Sequence, residues 1–245
     1  MIMPKRLVFD GSQRSQEINL INTGADSATY NISIVQYNMT ESGNFEEVTE
    51  PVINQRFATD FLRYYPRQVV LGPSEAQTVR IQLTRTGNIE EGEYRSHLYF
   101  RAVENQTALG EVDENDSENI SINIKTVFGI SIPVIIRNGE STTAIELSDI
   151  SLEKNLDAIL LSMNINRTGN MSVYGELTVD HIAMDGTTNE IGKVRGLAVY
   201  TPNTKRNFSM NLQNLELIDL SKGSLHITYK TEEGKLLGET KFDLK

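Results

Sequence analysis

An all-β fold of two sandwiches in tandem is what the 245-residue sequence predicts, and three observations carry that reading. Apolar and polar residues alternate with period two in one segment after another, as strands buried on a single face require. Turn signals such as Asp10-Gly11-Ser12, Leu71-Gly72-Pro73-Ser74 and Thr168-Gly169-Asn170 separate these segments at intervals of roughly 8 to 12 residues. No convincing long segment repeats its apolar positions at the helical period. About seven short strands in each half describe two β-sandwiches of immunoglobulin type. Asn138-Gly139-Glu140-Ser141 is the natural boundary, giving an N-terminal domain of residues 1–138 and a C-terminal domain of residues 139–245.

Taken in order, Met3 to Phe9 reads as a first strand. Gln16 to Ile21 follows with Ile18 and Leu20 inward, and Tyr30 to Tyr37 places Tyr30, Ile32 and Ile34 on one face. Glu41-Ser42-Gly43-Asn44 closes a hairpin tip. The spacing of Phe57, Phe61 and Tyr64 suits a short helix, but Pro66 and the aromatic, β-branched run to Leu71 favour strand. Val79, Ile81 and Leu83 form the next inward face, and Tyr94, Ser96, Leu98, Phe100 and Ala102 the one after. Glu104 to Asn119 is polar and acidic and reads as a mobile loop. Beyond residue 139, strands are expected over Ala144 to Leu152, Leu156 to Ile165, Ser172 to Ile182, Gly196 to Tyr200, Arg206 to Leu212, Ser224 to Tyr229 and Lys241 to Leu244.

The segment Ile120 to Arg137 stands apart by its length. Every even position from Ile120 to Ile136 is apolar except Thr126, so the strand pattern persists well beyond the 3 to 10 residues typical of a sandwich strand. A strand too long for its own sheet has surplus edge to pair elsewhere, and Pro133, which has no N–H, argues for an edge or bulge within it. Ile120 to about Thr126 is expected to be the surplus, and Phe128 to Ile136 the part in the core.

Composition narrows the chemistry. Lys and Arg total 23 against 33 Asp and Glu, a net charge of −10 that disfavours nonspecific binding to nucleic acid or anionic lipid. With no cysteine there is no disulfide, thiol catalysis or cysteine-based zinc site. His97, His181 and His226 share no metal-ligand spacing, and neither a phosphate-binding loop nor a nucleophile elbow occurs. Carboxylates gather at Glu90, Glu91 and Glu93 and at Glu111 to Glu118, and they read as charged loop tips rather than as the acid pair of a glycosidase. The expectation is a non-enzyme without cofactor or metal. No apolar run spans a membrane, and no signal peptide is read at Met1 to Asp10, so an exported protein would be seen here in its mature form.

Three segments together resemble the periplasmic pilus chaperones of the PapD-like superfamily. They are Lys5-Arg6-Leu7-Val8-Phe9-Asp10-Gly11-Ser12 with Asn22 after it, Tyr65-Pro66-Arg67-Gln68-Val69-Val70-Leu71-Gly72-Pro73 with Gln77, Val79 and Arg80 behind it, and the long segment Ile120 to Arg137. The resemblance covers the N-terminal half; the C-terminal half shares only length and strand content. It implies two immunoglobulin-like domains in a boomerang arrangement. It also implies a non-enzymatic chaperone that stabilises pilus or fimbrial subunits by donor-strand complementation before an outer-membrane usher takes them.

On this sequence the lent side chains would be Ile120, Ile122 and Ile124. The family also grips the subunit's terminal carboxylate with a basic pair, an Arg in the first strand and a Lys or Arg in the long strand. Arg6 matches the first through the shared R-x-V-F-D-G-S pattern, whereas a gapless alignment puts Gly129 at the second. The remaining anchor candidates are Lys125 in the strand and Arg95 or Arg101 on the strand before it. The implied partners are pilin subunits and an usher in the periplasm, with self-association through the exposed edge strand as a further expectation. The alternative is a structural or adhesive tandem sandwich that keeps the fold without chaperone activity.

Overall fold

The computed structural model describes residues 1–84, 87, 89–103, 128–154, 158–216 and 218–244. The chain folds as two compact units. One comprises Met1–Gln36, Phe57–Glu90 and Tyr94–Arg137; the other comprises Tyr37–Arg56, Glu91–Glu93 and Asn138–Lys245. Each is an immunoglobulin-like sandwich, and the described residues are almost wholly strand and turn.

In the first unit the N-terminal segment serves both sheets. Met3 to Phe9 is not one strand: β1 (Ile2–Met3) pairs with β3 (Ser15–Ile21), and β2 (Leu7–Phe9) joins the other sheet, with Pro4 in between. The proline and two charged residues, Lys5 and Arg6, mark the point of crossing, where no ladder is kept. The first sheet has the order β1-β3-β9-β7, with β9 (Ala76–Leu83) and β7 (Leu62–Tyr65). The second runs β2-β11-β10-β4-β8, with β11 (Gly129–Asn138), β10 (Gly92–Val103), β4 (Ala28–Val35) and β8 (Gln68–Leu71).

The stretch from Phe57 to Leu71 is thus a one-turn 3-10 helix at Thr59–Phe61 followed by two strands that lie in different sheets on either side of Pro66. Inward residues from both sheets, among them Ile18, Val79, Ile81, Leu98, Phe100 and Val134, form one core. Asn22 joins two of the segments singled out above. Its buried side-chain amide donates to the carbonyls of Leu71 and Gly72, both at 3.1 Å, which satisfies the turn that joins β8 to β9.

The second unit packs a three-stranded sheet, β12-β13-β16, against a four-stranded one, β15-β14-β17-β18. The ranges are β12 Ala144–Lys154, β13 Ile159–Thr168, β14 Val173–Ile182, β15 Thr188–Val199, β16 Lys205–Asn211, β17 Ser224–Lys230 and β18 Leu236–Asp243. Leu161, Ile165, Val179, Ile191, Ile227 and Tyr229 lie at the centre of its core.

Part of this unit comes from the N-terminal half of the sequence. The hairpin of β5 (Tyr37–Met39) and β6 (Phe45–Glu47) docks at β16, where the Asn207 N–H donates to the Glu41 carbonyl at 2.7 Å. The Asn203 amide donates to the Met39 carbonyl at 2.6 Å, and Phe45 lies 6.0 Å from the Tyr200 ring. At the hairpin tip Gly43 has φ +86, and the Arg206 guanidinium fills the space a Cβ would need.

Candidate subunit-binding strand

The strand β11 lies between β2 and β10, and its two edges are used unequally. Its parallel pairing with β2 runs only over Val134, Ile135 and Ile136, opposite Leu7, Val8 and Phe9. Pro133, which has no N–H to offer, stands immediately outside that register. From Gly129 to Pro133, therefore, the β2 side of the strand has no ladder partner among the described residues. The β10 side is held farther back along the chain, where the Ala102 N–H donates to the Phe128 carbonyl at 2.9 Å.

Burial along the even positions shows where the sandwich ends. Ile136, Val134 and Ile132 are 3%, 0% and 4% exposed, whereas Ile130 and Phe128 are 48% and 72% exposed. The expectation that Phe128 to Ile136 forms the core is corrected accordingly: the core stops at Ile132. The same apolar face continues outward beyond it. Ile120, Ile122, Ile124 and Lys125 continue that parity or flank it in the sequence, and they lie outside the described residues, as does the segment Glu104 to Asn119. Phe128 and Ile130 were legible only as members of the alternation, since the alternation does not say where a core ends.

Gly129 has a local explanation. A Cβ at this position would run into the ring and hydroxyl of Tyr99 on β10, so the aromatic ring occupies the place a longer residue would take. The basic candidates distribute as follows. Tyr94, Leu98 and Phe100 point into the core, so Arg95, His97, Tyr99 and Arg101 share the opposite face of β10. Arg6 immediately precedes β2, at the crossing between the two sheets.

Arg95 is 4% exposed and Arg6 is half-buried, with the Nε of each shielded from solvent; Arg101 is exposed and pairs in register with Asn31. β11 intervenes between β2 and β10, so Arg6 and Arg95 come from segments two strands apart in the sheet order. Burial, followed by the positive charge of Arg95, pushes the His97 pKa down to about 3, so the imidazole is neutral at pH 7 and the charge of this face resides on its arginines.

Glu93 is not the loop-tip carboxylate that its sequence neighbourhood suggests. It is 5% exposed and accepts hydrogen bonds from the Ser172 N–H at 3.1 Å, the Ser172 hydroxyl, and the Thr201 hydroxyl at 3.2 Å. Arg167, buried in the same unit, donates through Nε to the Asn203 carbonyl at 2.8 Å and through a terminal nitrogen to the Gly169 and Met171 carbonyls, both at 2.9 Å. Burial lowers the Arg167 pKa, and the negative charge of Glu93 opposes that shift. With several hydrogen bonds to each of its two charged groups, this network is built to hold structure.

No protein-family model matches the sequence, and no curated protein matches it. Among solved structures it is similar to a chain of the chaperone–tip adhesin complex of CFA/I fimbriae biogenesis, at 14% identity over 100% of this chain and 97% of that one, with a TM-score of 0.48. It is similar to the CupB2 chaperone of Pseudomonas aeruginosa at 13% identity over 100% of both chains, TM-score 0.45. It is similar also to the class 5 fimbriae chaperone CfaA at 13% identity over 100% of this chain and 98% of that one, TM-score 0.47.

Proposed function

We propose that this protein is a non-enzymatic periplasmic chaperone for fimbrial subunits, which it holds by lending them its own strand before they pass to an outer-membrane usher. The observation that carries the reading is the apolar face of β11. It runs out of the core at Ile132 and continues through Ile130 and Phe128 along an edge that β2 leaves unpaired. A subunit lacking one strand of its own sandwich offers the complement: an open edge for the backbone and a groove for alternate side chains.

Ile120, Ile122 and Ile124 are the residues proposed to fill that groove. Each isoleucine buried there contributes about 1.5 to 3 kcal/mol relative to exposure. Arg6, just before β2, and Arg95, on β10, are proposed to hold the subunit's terminal carboxylate in place of a basic residue at Gly129, since guanidinium groups bind carboxylates through paired N–H donors. No nucleotide or metal has a part in this scheme, because release comes from exchange of one strand for another.

The test is co-expression of the tagged protein with its fimbrial subunits and recovery of the complex from the periplasm. In the Ile122→Asp/Ile124→Asp variant the expected result is a loss of roughly a hundredfold or more in affinity, with the thermal melt unchanged. Undiminished recovery of subunit by that variant would sink the proposal and favour a structural role for the tandem sandwich.

A further inference from the structure

We propose that the outward face of the four-stranded sheet β1-β3-β9-β7 is a docking surface for an acidic peptide segment of a partner protein. The chain carries a net charge of −10, yet Arg63, Arg67 and Arg80 surround one shallow depression of about 410 Å³ at the β7 edge of this sheet, with Tyr64, Tyr65 and Gln82. None of the three arginines is ion-paired within the described residues. Cross-strand register sets Arg63 opposite Gln82 and Tyr65 opposite Arg80, whose other neighbour is Glu17 on β3, and Arg67 follows just beyond Pro66. Because β7 is the edge of its sheet, the patch is open along that side.

Two of the guanidinium groups are already oriented. Arg67 lies with its Cζ 3.8 Å over the Tyr64 ring, and that ring is fixed by its hydroxyl donating to the Ile32 carbonyl at 3.1 Å. The Arg67 backbone is held as well, its carbonyl accepting from the Ile32 N–H at 2.8 Å. A guanidinium stacked by one face keeps its in-plane N–H groups for a carboxylate, and little side-chain entropy remains to be lost on binding. Arg80 donates through Nε to the Ser15 hydroxyl at 2.8 Å, a bond that does not use its terminal nitrogens. Tyr65, 77% exposed beside them, supplies a flat apolar surface for the stem of a glutamate or for an aromatic neighbour in the ligand.

Arginine and tyrosine together are the residue types that dominate protein-binding surfaces, and their sign here is opposite to that of the chain as a whole. An extended acidic segment is the occupant these charges select. The surface belongs to a different sheet from the lent strand, so its test stands apart from that of the proposed function.

The experiment is a fluorescence-anisotropy titration of the full chain with a short labelled poly-glutamate peptide at low salt. Saturable binding that weakens as salt rises is expected, weakened at least roughly tenfold by Arg63→Glu/Arg67→Glu. The single variant Tyr65→Ala, at an exposed position, should weaken binding about threefold and keeps the proposal testable if the double variant does not fold. The Ile122→Asp/Ile124→Asp variant should bind the peptide like the unaltered chain. Absence of saturable binding would overturn the proposal. So would equal binding by the arginine variants, or preference for phosphatidylserine vesicles over the peptide.

Discussion

His97 carries a sign that pH can test. Its pKa is near 6.5 in the unfolded chain and about 3 in the fold, so between those values the unfolded state binds the extra proton and stability rises with pH. The contribution is whole above pH 6.5 and is lost as pH falls toward 3. Urea unfolding should therefore show about 2 kcal/mol less stability at pH 5 than at pH 7 from this residue, and the His97→Gln variant should lack that share of the slope. An unchanged slope in the variant would place the proton uptake elsewhere. Gly129 gives a second test at this scale. Gly129→Lys must displace the Tyr99 ring, at a cost of about 1 to 2 kcal/mol, and the same change in a Tyr99→Ala background should cost close to nothing. The double-mutant cycle reads the coupling directly. Glu93→Ala leaves the Ser172 and Thr201 donors and buried Arg167 without its charge, for which roughly 3 kcal/mol of lost stability by urea melt is expected.

Among the elements, the hairpin β5–β6 does for β16 what a covering strand does for any exposed edge. Met39, 2% exposed, is its buried anchor, and Met39→Ala should lower stability by about 2 to 3 kcal/mol. Light scattering should then report self-association through the uncovered β16 edge; a destabilised but monodisperse variant would mean that the edge is protected in another way. The strands themselves were legible wherever one face is buried, because alternation in β9 and β14 is a direct image of burial, whereas β10 is buried on both faces from Gly92 to Leu98. The split of Met3 to Phe9 into β1 and β2 was not, since alternation does not tell which of two sheets a residue faces. Nor was the docking of Tyr37–Glu47 on the second unit, which depends on Asn203 and Asn207, more than 150 residues away in the chain. In β11 the pattern showed one continuous strand, whereas the core ends at Ile132, two residues before the stretch that β2 pairs.

For the whole molecule, the two sandwiches divide their tasks. The second unit is a closed construction, with Glu93 and Arg167 hydrogen-bonded inside it and a hairpin borrowed from the N-terminal half over one sheet edge. The first unit keeps two features that its own fold does not use, the outward run of β11 and the arginine face around Tyr65. The three segments of family resemblance all fall in this first unit, and two of them meet at Asn22 and Leu71. The proposed basic anchor was the least legible part: a gapless alignment points to Gly129, where the Tyr99 ring fills the space of a side chain, while the basic side chains of the neighbouring strand β10 are Arg95 and Arg101.

Hydrogen–deuterium exchange of the purified protein, alone and in complex with a fimbrial subunit, tests the lending of this strand most directly. Amides from residue 120 to residue 131 should gain protection in the complex relative to the free protein, while the rest of the first unit changes little. A bound subunit that leaves exchange in that segment unaltered would contradict the account.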